Sequence, residues 1–336
     1  NRDFPLDVLY LDLDYFNQGD PNAFNYEGAN QLHQLVFNSS YWSDPAAMIN
    51  YCLDRGVRII PIIEPWINNT DPKWSEAAGL LHFVKLLQDA TNSYQVVTPI
   101  FFGNVSWIDF TSTAAGNWWK DKLVGFFNSY PFEAVWNDLN EPADAETLPR
   151  NAVYYMDGRF GDNYDSRRWH VNVKNTFCVY ETKYTFAALR EKHPDRRPYV
   201  ISRAGFPGIQ KYATSWSGDN RAEWDASRYG IRLGNSVMIS GQVNFGHDLG
   251  GFVTETTPEL ITRWTQWGAV NPLMRNHSMK SAAEREPWRY SDDYFFAMRE
   301  LAWFRYKLMP YLYTFAWSAH QDGIPMNAPT VFYFHQ

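Results

Sequence analysis

Only two of the 336 residues are cysteine, Cys52 and Cys178, too few for a disulfide framework and without metal-ligand spacing. Both are expected to be buried thiols. No run of about 18 consecutive apolar residues occurs, so nothing reads as a membrane-spanning helix. Basic residues (30) are outnumbered by acidic ones (37), and the net charge of −7 comes with no basic stripe that could track phosphates, which argues against nucleic acid as a partner. No Gly-rich phosphate loop follows the first strand-like segment, which argues against an open nucleotide-binding sheet. No cluster of His, Cys and carboxylates has ligand spacing, and no cofactor is expected. A structural calcium in an Asp/Asn-rich loop such as "DGRFGDNYD" is a weak metal candidate. The opening "NRDFPLDVLY" has neither an initiator Met nor a signal-peptide pattern, and the chain is expected to be a piece of a larger protein.

Aromatic residues, by contrast, are plentiful: 15 Trp, 21 Tyr and 23 Phe make up 18% of the chain. A large core would use them. So would a sugar site, where rings stack on the C–H faces of pyranoses while polar neighbours take the hydroxyls. Composition leaves the two readings level.

A short β-rich apolar run that ends in a polar or charged residue recurs along the chain, usually followed by a helical pattern. The strand candidates are Asp7–Asp14, Val57–Ile63 ending at Glu64, "FEAVWND", "RPYVISRAG", "YATSWSGDN", "GQVNFGHDLGGF" and "MNAPTVFYF". Helices are predicted ahead of Gly56, over "FCVYETKYTFAALREKH" and over "YFFAMRELAWFRYKLMPYLYTFAWSAH". Strands alternating with helices predict a parallel sheet, and near-continuous apolar runs predict strands buried on both faces. Polar residues gather at the C-terminal ends of these runs: Asp12 and Asp14, Glu64, Asp138, Arg203, Asp219 and Asp248. In a (β/α)8 TIM barrel those ends form the active-site face. The predicted fold is therefore such a barrel over residues 1–336, one strand short, with the first strand expected to precede this N-terminus. Two long excursions, 65–130 and 142–170, interrupt the pattern, and the first is expected to build a wall of the pocket.

The chemistry centres on "EAVWNDLNEPAD", Glu133–Asp144, with four acidic side chains in twelve residues. Alternation puts Ala134, Trp136 and Asp138 on one face of the strand, while Glu141 and Asp144 belong to the loop. Alone this reads as a capping cluster. "WSGDN" adds Asp219 at another strand end, with Trp216 before it. Two carboxylates from different strands in an aromatic pocket are what acid–base glycoside hydrolysis requires.

"VWNDLNEP", "SRAGFPGIQKYATSWSGDN", "FGHDLGGF" and "RWTQWGAVNPLMRNHS" together resemble the catalytic barrel of glycoside hydrolase family 31, the α-glucosidase family, and the resemblance runs from "LYLDLDYF" to "RYKLMPYLY". It implies a retaining, two-step mechanism with Asp138 as nucleophile and Asp219 as general acid/base, and Glu141 supporting Asp138. Asp219 must be protonated when substrate arrives, and burial together with the Asp138 charge is expected to hold its proton. By matched position, Asp12, Trp107, Trp136, Arg203, Trp216, Asp248 and His277 are expected to contact the sugar or the catalytic acids. Asp14 is assigned to the scaffold and Phe252 to the pocket wall. "SRAGFPGIQKYATSWSGDN" is similar to the bacterial branch of α-1,6- and α-1,3-active glucosidases and glucosyltransferases, whereas the α-xylosidase branch lacks Asn-Glu-Pro.

The resemblance implies an oligosaccharide or α-glucan substrate and flanking β-domains in the same enzyme. A transglycosylase passing a glucosyl or isomaltosyl unit from Asp138 to a sugar shares the first half-reaction. A sugar-binding module is the reading from another class, and the paired acids argue against it. Sequons at Asn38, Asn68 and Asn104 fit a secreted protein, and an extracellular location is expected.

Overall fold

Val8–Leu11 (β1), Arg58–Ile63 (β2), Ala134–Asn137 (β3) and Tyr199–Ser202 (β4) run parallel and pair in that order. The computed structural model describes residues 2–18, 32–87, 93–95, 97–100, 103–142, 152–155 and 167–334. They divide into a unit of Asp7–Phe206 and a unit of Asn1–Leu6 with Pro207–Gln336. The four strands above belong to the first.

Register decides which side chains share a face. Tyr10 lies beside Ile60, Ile62 beside Trp136, and Trp136 beside Ile201. Side chains alternate along a strand, so these residues form one face of the sheet. Tyr10 meets Trp136 edge-on, with ring centroids 6.1 Å apart. The opposite face carries Asn137, whose amide reaches the helix Phe177–Lys192. Pro45–Leu53 (α1) precedes β2, Thr113–Ser129 (α2) precedes β3, and Phe177–Lys192 (α3) precedes β4. Asp44 caps α1 by accepting from the Ala47 N–H at 2.9 Å, with Pro45 as first helical residue. Ser112 caps α2 in the same way.

In the second unit, Thr214–Trp216 (β5), Phe245–Asp248 (β6) and Leu273–Arg275 (β7) are again parallel and pair in that order. Helices Trp224–Ile239 (α4), Pro258–Gly268 (α5) and Asp292–Asp322 (α6) follow them in turn. Leu249, Leu260 and Trp264 form a buried cluster under α5. Gly246 faces Leu273 so closely that a Cβ there would come within 2.4 Å of the Leu273 Cβ.

Two expectations change. The seventh strand is Leu273–Arg275, not "MNAPTVFYF", where Thr330–Phe332 forms only a short 3-10 turn. Pro329 supplies no N–H for a ladder, and Val331 through Phe334 are exposed. The true strand is three residues long, too short to display alternation. The stretch 65–130 is likewise no single excursion, since it includes the barrel-type helix α2. Before it, Trp66–Asn68, Gly103–Trp107 and Thr98–Ile100 form a three-stranded antiparallel sheet. Lys85–Leu87 and Ser93–Gln95 join Ala152–Tyr155 and Arg167–Trp169 of the second excursion in a four-stranded one.

Much of the aromatic excess goes into the core: Trp66, Trp107, Trp119, Phe83, Phe110, Phe177 and Tyr154 are completely buried. Two of the three sequons are also structural. Asn38 and Asn68 are buried, and their side-chain oxygens accept from the backbone N–H of Ser40 and Thr70 two residues on, as turn-forming asparagines do. Cys178 is buried and its thiol pushed up to about 12, chiefly by burial, while Cys52 is only half-buried.

Candidate active site

At the C-terminal ends of β2, β3 and β4 the ladder continues for one more residue. Asp138 donates its N–H to the Ile63 carbonyl and Arg203 its N–H to the Asn137 carbonyl, both at 3.0 Å. The register therefore sets Glu64, Asp138 and Arg203 side by side, on the face that carries Ile62, Trp136 and Ile201. Arg203 Nε stands 3.4 Å from Asp138 Oδ1. The same guanidinium clasps Glu141, Nε to Oε1 at 2.8 Å and Nη2 to Oε2 at 3.1 Å. A fixed positive charge is thus shared by both carboxylates.

Asn137 points away from Asp138 and donates to Glu181 at 2.6 Å and to Thr185 at 3.2 Å, both on α3. Leu139 sits at φ +50°, a left-handed conformation that costs a non-glycine residue about 1 kcal/mol or more, and turns the chain sharply after Asp138. Asn140 donates to Ser202 at 2.8 Å and accepts from the Ala204 N–H at 2.9 Å, which ties the loop to the end of β4. Glu141 then reaches Arg203. Within the segment "NDLNE" Asn137, Asn140 and Glu141 each have a positioning contact, and these hold the strained Leu139 in place.

Two buried acids lie beneath this loop. Glu64 is fully buried, and its carboxyl is held well above the usual carboxylate range, first by burial and then by the Asp138 charge. Arg203 pulls the other way, while Glu181 and Asp12 add to the rise. Glu181 is raised to about 8, again first by burial, against the opposing amides of Asn140 and Asn137. Asp12 follows β1, half-buried, and accepts from the Leu13 N–H at 2.7 Å to cap the turn Leu13–Tyr15 that contains Asp14. Trp136 is buried beneath Asp138. Trp107, expected among the residues contacting the sugar or the catalytic acids, has no exposed surface and meets Phe177 edge-on at 6.4 Å.

In the second unit, Asp219 follows β5 on a turn opened by Gly218 at φ +68°. The turn is fastened by the Phe252 and Val253 N–H groups, which donate to the Asn220 carbonyl at 2.6 and 3.0 Å. Asp219 itself is exposed, so the burial expected of it is not present. Asp248 and Arg275 form a fully enclosed ion pair at 2.7 Å, and the guanidinium lies 4.8 Å over the Trp216 ring. Removing one partner of such a pair strands a buried charge, at a cost of about 3–5 kcal/mol. His277 stacks on Phe252, centroids 5.1 Å apart, and is held neutral by burial and by the Arg275 and Arg285 charges. Arg285 donates to the carbonyls of Gly251 and Thr254, closing the loop that carries Phe252.

Glu64, Glu181, Asn137, Asn140 and Arg275 were not named as site residues from the sequence. Glu64 carried a signal, since it stands one place past its strand as Asp138 does. Glu181 carried none, being one polar residue inside a helix. Asp144 and the loop "DGRFGDNYD" lie outside the described residues. Among the described residues, no group of three or more His, Cys, Asp or Glu is placed to hold a metal ion, and no helix is long and apolar enough to cross a membrane.

The glycosyl hydrolases family 31 TIM-barrel domain matches residues 1–315. Alpha-glucosidase 2 of Bacillus thermoamyloliquefaciens is 30% identical over 337 residues, covering 98% of this chain and 40% of the relative. A probable glucan 1,3-alpha-glucosidase of Oryza sativa subsp. japonica is also 30% identical, covering 98% of this chain and 34% of the relative. Among solved structures, the alpha subunit of glucosidase II bound to alpha3-Glc2 superposes with a TM-score of 0.86 at 29% identity, over 99% of this chain and 34% of that one. The chain thus spans between a third and two fifths of the length of these proteins. The seven strands described above are strands of a (β/α)8 barrel.

Proposed function

The chain belongs to glycosyl hydrolases family 31, and on that premise we propose that it is the catalytic region of a retaining α-glucosidase that releases terminal α-linked glucose from gluco-oligosaccharides. The observation that carries the reading is the strand-end placement of Asp138. It sits half-buried above Trp136, in a row with Arg203, on a turn in which Asn137, Asn140 and Glu141 are each hydrogen-bonded to the surrounding elements.

In the proposed reaction the Asp138 carboxylate attacks the anomeric carbon while Asp219 gives its proton to the departing glycosidic oxygen. The C–O bond to the leaving sugar breaks and an ester to Asp138 forms. Asp219, now ionised, takes a proton from water, whose oxygen displaces Asp138 and releases α-glucose. Glu141 acts through Arg203 and Asp248 through Arg275, so both carboxylates orient cations. Asp12, Trp136, Trp216 and His277 are assigned to the sugar. The flanking β-domains supply the remainder of the enzyme, and an extracellular location goes with a polymeric α-glucan substrate rather than with the largely buried sequons.

A proton NMR time course of the full chain with isomaltose, nigerose and maltose oligosaccharides tests this. α-Glucose appearing first and then mutarotating is the expected result, and the fastest substrate names the linkage. β-Glucose appearing first refutes retention. Larger or cyclic saccharides accumulating with little free glucose assign the chain to the transglycosylases.

A further inference from the structure

We propose that Glu64 is a positioning residue for Asp138, set beside it at the end of the neighbouring strand and acting as an uncharged acid. The inference rests on Asp138 being the nucleophile.

Three observations support it. First, the parallel register that pairs Ile62 with Trp136 and Ile63 with Asn137, continued by the Asp138 N–H to Ile63 bond, puts Glu64 directly beside Asp138, with Arg203 on its other side. Second, the backbone around Glu64 is locked. The buried amide of Gln34 accepts from the Glu64 N–H at 2.9 Å and donates to the carbonyls of Glu64 (3.1 Å) and Trp66, mimicking a strand at that point. Third, Glu64 is completely enclosed, and among the described residues neither carboxyl oxygen has a hydrogen-bond partner. A carboxylate without a partner in such a place is costly, and the group avoids the cost by keeping its proton.

The groups whose charges bear on Glu64 are Asp12 from the end of β1, Tyr15 from the following turn, Asp138 from β3, Arg203 from β4 and, across the sheet, Glu181 from α3. Asp12 and Asp138 already stand against the single cation Arg203, so ionising Glu64 would add a further negative charge to the cluster. It would repel the Asp138 carboxylate and compete with Asp138 and Glu141 for the Arg203 guanidinium. Kept neutral, Glu64 fills the space on one side of Asp138 and leaves Arg203 to the nucleophile. Its ionisation is therefore expected to switch the nucleophile off at alkaline pH, independently of Asp219.

The test is the pH dependence of kcat/KM for the full chain with α-glucosyl fluoride, whose leaving group departs without a proton from Asp219. Wild type should keep an alkaline limb with this substrate. Glu64→Gln, permanently neutral and nearly isosteric, should leave the acidic limb in place and shift the alkaline limb upward by about one pH unit or more, with kcat/KM within about threefold of wild type near pH 6. A residue that only fills space would leave both limbs where they are. An alkaline limb unmoved by Glu64→Gln, or absent from wild type with the fluoride, overturns the proposal. If Glu64→Gln does not fold, Glu64→Asp takes its place. It keeps an acid but withdraws it by one methylene, and should retain the limb while kcat falls about tenfold with KM little changed. Unchanged kcat there overturns the proposal. Asp138→Ala run alongside separates the two readings: activity surviving in Asp138→Ala refutes the assignment of the nucleophile, whereas an inactive Asp138→Ala with unmoved Glu64→Gln limbs refutes only the role of Glu64.

Discussion

Arg203 holds Glu141 by two parallel bonds, at 2.8 and 3.1 Å, while its Nε also stands 3.4 Å from Asp138. One planar cation therefore fixes the first acid of the Asn-Glu-Pro turn and the acid three residues earlier at the same time. Lysine cannot do this, because its ammonium is a point charge without the fork. Arg203→Lys is expected to lower kcat/KM by about 10²-fold, the scale of a nucleophile misplaced by roughly 1 Å. Steady-state kinetics beside an unchanged circular dichroism spectrum check it.

Asp219→Ala should discriminate between leaving groups. With an unactivated disaccharide the variant is expected to lose about 10²–10⁴-fold in kcat/KM, the range of general acid catalysis. With an activated aryl glucoside the first step should survive, and added azide should restore turnover as an α-glucosyl azide. Equal losses with both substrates would remove Asp219 from the acid's role.

Glu181 makes stability depend on pH. Its carboxyl titrates at about 8 in the folded chain against an ordinary 4.5, so between these values the folded state keeps a proton that the unfolded state has lost. Stability from this group therefore falls as pH rises from about 4.5 to about 8 and levels off above. Glu181→Gln retains an oxygen to accept from Asn137 and should flatten that slope. Denaturant midpoints of both proteins at several pH values measure the difference, and parallel slopes would contradict it.

Gly251 closes the "HDLGG" turn at φ +82°, where an added Cβ would lie 2.5 Å from the Ala222 backbone. Ala222 cannot yield as a side-chain tip would, because its N–H is bonded to the Val253 carbonyl at 2.9 Å. Gly251→Ala is expected to cost about 1–3 kcal/mol from overpacking, with left-handed strain added. Since Phe252 and Val253 fasten the Asp219 turn through Asn220, activity should fall further than stability alone explains. Thermal unfolding and kcat measured on one preparation check both halves.

The strand-and-helix alternation was legible because each long strand combines an apolar run with a polar residue at its end. Arg58–Ile63 and Ala134–Asn137 show this most clearly. Leu273–Arg275 escaped because three residues between Pro272 and Asn276 cannot show a period. "MNAPTVFYF" misled because β-branched and aromatic content marks a strand only where a neighbouring strand can receive it. At the site, Asp138, Arg203 and Glu141 could be named in advance because they fall at strand ends or in a motif. Glu181 and Gln34 could not, since their roles depend on which element folds over them. Trp107 shows the limit of position alone: the ring lies in the core because Phe177, seventy residues later, comes to rest against it.

The two excursions pair with each other, Ala152–Tyr155 against Lys85–Leu87, across more than sixty residues of intervening chain that includes β3. They form one sheet built from two separate stretches of chain. A chimera that imports one of them from a related enzyme would meet a foreign partner along its hydrogen-bonding edge, so swaps aimed at the outer walls have to be made in pairs. A change of length or register in one should be tolerated only with a matching change in the other, even though β3 and Asp138 lie between them in the chain.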